Sequence, residues 1–289
     1  MPSLIHLLSP SDVERLSQSA KQAAALEARW RAKLGSLFDA MTDQVIESLI
    51  KTGRVRESKI GFEGFLMDHS LEVMKASAMQ AEDGFVPVTR DKASRMAAPP
   101  KAKIPRSLRD LMREWDKWRA KRKPTKRQKW LADRIKKAYL EKVQSVWRKY
   151  SEDFREGKTG ENQVREYVER AAGAAYSRAK TIMETETTYY YNAVRMEIYD
   201  QSESVTHYLF VALRDHRTTK WCRTRQGLVY KKGSELLRRE KPPCHFNCRS
   251  EILPLTPGQN ARHRRIVEDE SRWRENRHPA PLLKDWGSR

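Results

Sequence analysis

The densest group of chemically reactive residues lies in the stretch PPCHFNCRS, residues 242–250. It contains two cysteines, a histidine and an arginine, and Cys222, the third cysteine of the chain, precedes Cys244 by 22 residues. Thiolates and imidazoles bind structural zinc, and they also act as nucleophiles or redox centres. Four interpretations follow: a metal site, a redox centre, a catalytic thiol, or a packed module in which cysteines serve as small apolar side chains.

A zinc site requires four ligands in a tetrahedron. Cys222 on one turn, with His245 and Cys248 on another, would supply three of them. The predicted set is completed by Asp215, and the other candidates for the fourth place are His216, Cys244 or water. Because adjacent residues of an extended backbone point in different directions, we expect Cys244 and His245 not to bind together. The spacing matches no standard zinc finger, so zinc and a plain packing role both stay open.

Several classes of protein are excluded by the sequence. An odd number of cysteines argues against a secreted disulfide scaffold and for assembly in a reducing cytoplasm. No apolar run approaches the roughly 20 residues that cross a bilayer, so we expect no membrane association. The chain has no His-x-Glu pair of the zinc deaminases, no Walker A loop and no Rossmann glycine fingerprint. We therefore expect no enzyme of these classes.

The net charge of +20 is concentrated in two blocks. Residues 1–100 carry 13 basic and 13 acidic side chains, and residues 151–204 carry 7 basic and 11 acidic ones. Residues 101–150 instead carry 19 basic against 5 acidic side chains, and residues 205–289 carry 19 against 9. This distribution favours a polyanionic partner such as nucleic acid, and a solvated helical face is the simpler alternative.

The strongest basic cluster is KRKPTKRQK, residues 121–129, in which six of nine residues are basic. We predict that it contacts nucleic acid electrostatically, without sequence preference. The residues expected in this contact are Lys121, Arg122, Lys123, Lys126, Arg127 and Lys129. The helical segments on either side hold four of the eight tryptophans. These rings could stack on bases, but their helical spacing favours a place in the core.

Apolar residues recur at three- and four-residue steps over most of the first 200 residues, which predicts long amphipathic helices. The predicted helical segments are 9–50 (one helix or two), 62–84, 107–121, 125–150 and 161–200. The proline-bearing segment 84–107 has no such period and is predicted to be a linker or irregular loop.

From residue 205 the pattern changes to short strands rich in β-branched and aromatic residues. VTHYLFVAL, GLVYKKGS and CRSEILPLTP predict a three-stranded module over residues 205–257. The predicted fold class is α+β and predominantly α-helical, with long helices and a small C-terminal three-stranded β module. Its predicted parts are an N-terminal helical region (1–100), a basic helical segment (101–160), a long helix with the β module (161–257) and a basic C-terminal tail (258–289).

Five motifs follow one another from the long helix into the β module: TETTYYYNAVR (185–195), ALRDHRTTKWC (212–222), GLVY (227–230), PPCHFNCRS (242–250) and ILPL (252–255). Their order and spacing resemble the phage head morphogenesis family, the minor capsid proteins related to the F protein of phage Mu and the gp7 protein of phage SPP1. The resemblance covers roughly residues 160–256. The residues at the family's motif positions are Glu186, Asn192, Asp215, Arg217, Thr218, Cys222, Gly227, His245, Cys248 and Arg249. Cys244 departs from the family pattern.

The chemistry of several motif residues indicates a structural role without reference to the family. Asp215 follows a strand, where aspartate commonly caps a turn by accepting backbone N–H bonds. The guanidinium of Arg217 or Arg249 could pair with it or with Glu186 in a bidentate contact. Such ties would hold a small sheet that lacks a large core.

The resemblance implies a minor capsid or head morphogenesis protein of a tailed phage, and no enzyme. Such a protein would be present in few copies near the portal vertex of the virion, after assembly in the host cytoplasm. Its partners would be the portal protein, the major capsid or scaffold protein, and packaged double-stranded DNA. The alternative hypothesis is a zinc-dependent nucleic-acid-processing enzyme, such as a nuclease that uses His245 and nearby acids.

Overall fold

The computed structural model describes residues 10–55, 61–82, 123–212, 215–257 and 266–267, with side chains over 25–55, 61–79, 123–212 and 215–257. The long helices in these residues are α1 (Pro10–Thr52), α2 (Phe62–Glu82), α3 (Lys126–Arg155) and α4 (Glu161–Asp200). The predicted α+β, predominantly helical fold class is confirmed. The predicted linker, the predicted helix 107–121 and most of the predicted tail lie outside the described residues.

The ends of the long helices follow local signals in the sequence. Helix α1 is one continuous helix, and it ends at Gly53, whose φ of 62° lies in the left-handed region that glycine adopts without strain. Helix α3 begins after Thr125 with a capping box. The Thr125 side chain accepts from the Gln128 N–H, and the Gln128 side chain accepts from the Thr125 N–H.

The chain forms two compact units, and each is discontinuous in sequence. The helical unit consists of Leu26–His69 and Arg122–Met183. The mixed unit takes its described residues from 10–25, 70–82 and 184 onward. The four-part division of the sequence stays a prediction.

Aromatic side chains form much of the core of the helical unit. The Phe38 ring lies against Phe62, Tyr139 and Tyr176 at centroid distances of 5.4, 6.0 and 5.6 Å. The Tyr139 hydroxyl donates to the buried Thr42 hydroxyl at 3.2 Å. These contacts involve α1, α2, α3 and the first part of α4, so apolar burial holds this unit together.

The sheet of the mixed unit contains the three strands that the sequence predicted. They are β1 (His207–Val211), β2 (Val229–Lys231) and β3 (Glu251–Leu255), and β1 pairs antiparallel with both of the others. A fourth strand, β4 (Ile266–Val267), pairs parallel with β2 and gives the order β3-β1-β2-β4. The sequence did not predict β4, because two residues are too few to show a strand period.

Two six-residue helices were also not predicted: α5 (Lys220–Arg225) and α6 (Glu235–Glu240). Each begins after a hydroxyl side chain, Thr219 or Ser234, which accepts from the backbone N–H three residues later. A helix of less than two turns has no recognisable apolar period, so only these capping residues signal it in the sequence.

The core of the mixed unit lies on one face of the sheet. Alternate strand residues contribute to it, because successive side chains of a strand point to opposite faces. The residues that share this core are Ala78, Val194, Ile198, Tyr199, Val205, Tyr208, Phe210, Ala212, Trp221, Cys222, Leu228, Tyr230, Leu236, Leu237, Cys244, Cys248 and Ile252. All three cysteines are therefore part of the packed interior.

A buried ion pair joins α5, α6 and β2 at the edge of this core. The Arg225 guanidinium donates to both carboxylate oxygens of Glu240, at 2.9 and 3.0 Å, and the Tyr230 hydroxyl donates to the same carboxylate at 2.9 Å. The guanidinium also lies over the Trp221 ring, 3.2 Å from its centroid. Because Arg225 and Glu240 are both buried, each compensates for the desolvation of the other.

Replacing Glu240 by alanine should destabilise the protein strongly, because it leaves the Arg225 charge buried without its counter-ion. We expect a loss of about 3–5 kcal/mol in the free energy of unfolding, measured by urea denaturation. Glu235→Ala is the matched control in the same helix, since the Glu235–Arg238 pair is exposed, and it should change stability by about 0–1 kcal/mol. Equal effects of the two substitutions would contradict the assigned role of the buried pair.

Candidate functional site

Four polar side chains of helix α4 contact residues 247–252, the segment that leads from the end of PPCHFNCRS into strand β3. Thr185, Thr188, Asn192 and Arg195 are spaced three, four and three residues apart, so they lie on one face of the helix. We call these four residues the polar face of α4. They contact, in order, residues 247, 248, 250 with 252, and 251.

The two threonines hold the turn that carries His245 and Cys248. Thr185 Oγ1 accepts from the Asn247 N–H at 3.0 Å, and Thr188 Oγ1 donates to the Cys248 carbonyl at 2.5 Å. The Cys248 N–H donates to the His245 carbonyl at 3.2 Å, which closes the turn. Asn247 has a φ of 56°, a conformation that asparagine tolerates better than most residues. The helix thereby fixes the backbone on which both potential ligands stand.

Asn192 binds the beginning of β3 as a neighbouring strand would. Its Oδ1 accepts from the Ile252 N–H at 3.0 Å, and its Nδ2 donates to the Ser250 carbonyl at 3.2 Å. These two backbone groups point the same way from an extended chain, and an adjacent strand would bond to the same pair. Asn192 is 1% exposed, so its amide makes these bonds away from bulk solvent.

Arg195 completes the row. Its guanidinium, which is almost fully buried, donates to Glu251 Oε2 at 2.9 Å and to the Tyr191 hydroxyl at 2.7 Å. The sequence predicted Asn192 as a motif residue but not Thr185, Thr188 or Arg195. Their helical spacing within TETTYYYNAVR was the signal that could have identified them.

Asp215 and Arg249 form a bidentate pair at the other side of the same segment. Both guanidinium–carboxylate distances are 2.7 Å, and the Arg217 backbone N–H and the Thr218 hydroxyl each donate to Asp215 Oδ1 at 3.0 Å. The hydrogen bonds from Arg249 hold the pKa of Asp215 well below its usual range. Of the two arginines that could have paired with Asp215, Arg249 makes the side-chain contact.

The remaining motif residues have structural positions. Glu186 is buried in α4, at 2% exposure. Gly227 has a φ of 78° between α5 and β2, and its N–H donates to the Phe210 carbonyl at 2.9 Å. A side chain at this position would strain the backbone, which explains why glycine stands here.

The three cysteines meet in the core beside this segment. Cys222 lies in α5, Cys244 follows α6, and Cys248 ends the turn held by the threonines. Their Sγ atoms all lie within 4.8 Å of one another, and the Cys222–Cys248 distance is 3.8 Å. His245 Nε2 lies 3.1 Å from Cys222 Sγ. All three cysteines are buried, and the cluster could hold a metal ion.

The sulfur and imidazole atoms shift each other's protonation. Burial lowers the pKa of His245, but hydrogen bonds to Cys222 and Cys248 outweigh burial and raise it to about 10. Hydrogen bonds from Cys222, Cys244 and His245 hold the pKa of the Cys248 thiol well below its usual range. Burial raises the pKa of Cys244. The cluster therefore favours a thiolate at Cys248, and thiolates are the form in which cysteines bind metals.

The residues predicted to contact nucleic acid are not all on the surface of the protein. Lys123, Lys126 and Lys129 are exposed, whereas Arg127 is 8% exposed and lies on the helix face that is buried in the helical unit. Arg127 is therefore no surface cation, because the helical period turns it inward beside Gln128. Lys121 and Arg122 lie outside the described residues.

A long helix whose polar face holds a small sheet, with three buried thiols in the core, is the architecture of this part of the chain. The family model described as phage Mu protein F like protein matches residues 144–253, and this match confirms the resemblance to the phage head morphogenesis family. No curated protein and no solved structure gives a significant match. Among the described residues, no helix is long and apolar enough to span a bilayer.

Asn192→Ala should loosen the start of β3, because it leaves the Ile252 N–H and the Ser250 carbonyl buried without partners. We expect a loss of about 1–3 kcal/mol in stability. Amide hydrogen exchange measures the effect locally, and the Ile252 amide should lose protection. The control is Ser177→Ala in the same helix, whose exposed hydroxyl bonds only to the preceding turn. Unchanged protection at Ile252 in the Asn192 variant would show that the amide does not hold the strand.

Proposed function

We propose that this protein is a minor capsid protein of a tailed phage that acts in head assembly, in few copies near the portal vertex. The observation that carries the proposal is the family match over residues 144–253, which supports a capsid-related morphogenetic role. The partners of this proposal are the portal protein and the major capsid or scaffold protein, and its location is the virion, after assembly in the host cytoplasm.

Contact with packaged double-stranded DNA is supported by the charge on α3. Besides Lys123, Lys126 and Lys129, the described part of this segment exposes further cations along the helix: Arg134, Lys137, Lys142, Arg148 and Lys149. Among these five, only Lys137 lies within ion-pair distance of a described acidic side chain, at 3.9 Å from Glu141. A helix with many exposed cations is suited to bind the phosphate backbone of DNA, because each neutralised phosphate releases counter-ions.

Replacing Lys123, Lys126 and Lys129 together by glutamine should weaken DNA binding and reduce its dependence on salt. Each phosphate contact that is lost lowers the slope of log K against log salt by about 0.9, so the slope should fall by up to about 3. The measurement is a salt titration of binding to duplexes of unrelated sequence. Arg127 stays unchanged, because the fold buries it.

The matched control removes the same charge from the mixed unit, by replacing the exposed Lys220, Lys231 and Lys241 with glutamine. This variant should retain the salt slope of the wild type. If both triple variants lose the slope equally, net charge and not the α3 surface governs the interaction. If neither loses it, the α3 charge serves an acidic protein surface.

The head-assembly role is tested by incorporation into particles. Heads assembled with the chain should contain it after gradient purification, in few copies per particle by quantitative mass spectrometry. A protein that stays in the soluble fraction while heads assemble normally would contradict the proposal.

The alternative function, a zinc-dependent nuclease, is tested with the same purified protein. It predicts nicking of plasmid DNA in the presence of a divalent metal, whereas a structural protein leaves the plasmid intact. The burial of the thiol cluster favours the structural role, because catalytic zinc keeps an open position for water or substrate. The zinc expected at Cys222, His245 and Cys248 therefore belongs to this proposal as a structural cofactor.

A further inference from the structure

We propose that Cys244 is the fourth ligand of a closed zinc centre, formed with Cys222, Cys248 and His245. This inference rests on zinc binding as proposed above, and it assigns a ligand that the family pattern does not provide. Three cysteines with one histidine are a common ligand set of structural zinc. Of the candidates for the fourth place, Cys244 is the one whose ligand atom the fold brings to the other two thiols.

The distances among the three sulfur atoms are close to those around a tetrahedral ion. With Zn–S bonds of about 2.3 Å, two sulfur ligands lie about 3.8 Å apart. Cys222 Sγ and Cys248 Sγ are 3.8 Å apart, and Cys244 Sγ lies within 4.8 Å of both. His245 Nε2 is 3.1 Å from Cys222 Sγ, slightly closer than the sulfur–nitrogen distance of about 3.5 Å in such a site. His245 is not among the residues whose ligand atoms all lie within 4.8 Å of one another, so the imidazole must move towards the sulfurs when the ion binds.

The histidine is oriented for coordination by its second nitrogen. His245 Nδ1 lies 2.7 Å from the Phe246 carbonyl, an acceptor that requires the proton on Nδ1. In the neutral ring that binds a metal, Nε2 would then be the coordinating nitrogen, and it is the one that lies beside Cys222 Sγ. A backbone carbonyl on the far side of the ring is a common second-shell partner of metal-bound histidines.

The loops that carry the four ligands are held independently of any metal. Cys222 stands in a helix capped by Thr219, and the Cys244 thiol donates to the Glu240 carbonyl at 3.4 Å. His245 and Cys248 share the turn that Thr185 and Thr188 fix. The ion would therefore join α5, the end of α6 and the start of β3, three pieces of a module with a small core.

Asp215 is not available for the same role. Its carboxylate is occupied by the bidentate contact with Arg249 and by the donors at Arg217 and Thr218. A zinc ligand at this position would have to give up that ion pair. The Cys244 thiol is in no ion pair among the described residues: it contacts the Glu240 carbonyl and the thiols of Cys222 and Cys248.

The test is the metal content of the full chain, purified without a histidine tag and without chelator, from cells grown with added zinc. We expect about one equivalent of zinc per chain. Cys244→Ser should reduce the content at least tenfold after gel filtration in zinc-free buffer, whereas Asp215→Asn should retain it. The wild type is first held at a free zinc concentration of about 100 times the dissociation constant. Removal of this zinc by a chelator should lower the melting temperature by about 5–10 °C, and added zinc should restore it.

Cobalt replacement of the wild type gives a readout that does not depend on folding of a variant. The thiolate-to-cobalt charge-transfer band should have the intensity of three thiolates, together with the strong visible bands of a tetrahedral ion. Less than a tenth of an equivalent of zinc and no cobalt spectrum would overturn both zinc binding and the ligand set. A two-thiolate intensity, or full zinc content in Cys244→Ser, would overturn the Cys244 assignment alone. None of these outcomes bears on head assembly, which is tested separately by incorporation into particles.

Discussion

The hydrogen bonds between the polar face of α4 and residues 247–252 are the constraint on which the mixed unit depends. The strands of this sheet are only two to five residues long, and such short strands need packing against a helix for stability. The helix compensates for this by bonding to four successive points of the chain between the turn and β3. Because Asn192 and Arg195 are buried, these bonds are made in a low-dielectric environment, where they are strong and costly to break.

The residues that position the turn alternate along the sequence with the potential metal ligands. The threonines of α4 hold the backbone of Asn247 and Cys248, and Arg249 reaches Asp215 from the opposite side. The turn that carries Cys248 is thus held by polar contacts that do not themselves require a metal. This arrangement is what a structural site needs, since ligands held in place lose little entropy on binding.

The two units use different means of stabilisation. In the helical unit, aromatic rings of α1, α2, α3 and α4 pack together, and the surface carries the charge. In the mixed unit, a buried ion pair and side-chain hydrogen bonds join short elements that pack around the hydrophobic core. The family match over residues 144–253 includes residues of both units, among them the last part of α3.

The sequence by itself determined the elements whose signals are local and repeated. Helical periodicity over 40 residues predicted α4 with its observed ends, and the β-branched strands predicted β1, β2 and β3. The helices α5 and α6 and the strand β4 were not predicted, because two to six residues contain too few periods. The family resemblance was likewise visible in the sequence, since it rests on the order of short motifs.

Only the tertiary structure decided which of these residues meet. Arg249 and not Arg217 makes the side-chain pair with Asp215, and the Cys244 Sγ atom lies within 4.8 Å of those of Cys222 and Cys248. The turn at 245–248, with Asn247 in the left-handed region, makes this possible, and no pattern in one sequence reveals it. Arg127 is buried because of the direction in which α3 packs. Contacts between residues far apart in the chain depend on the relative placement of whole elements, which local sequence does not determine.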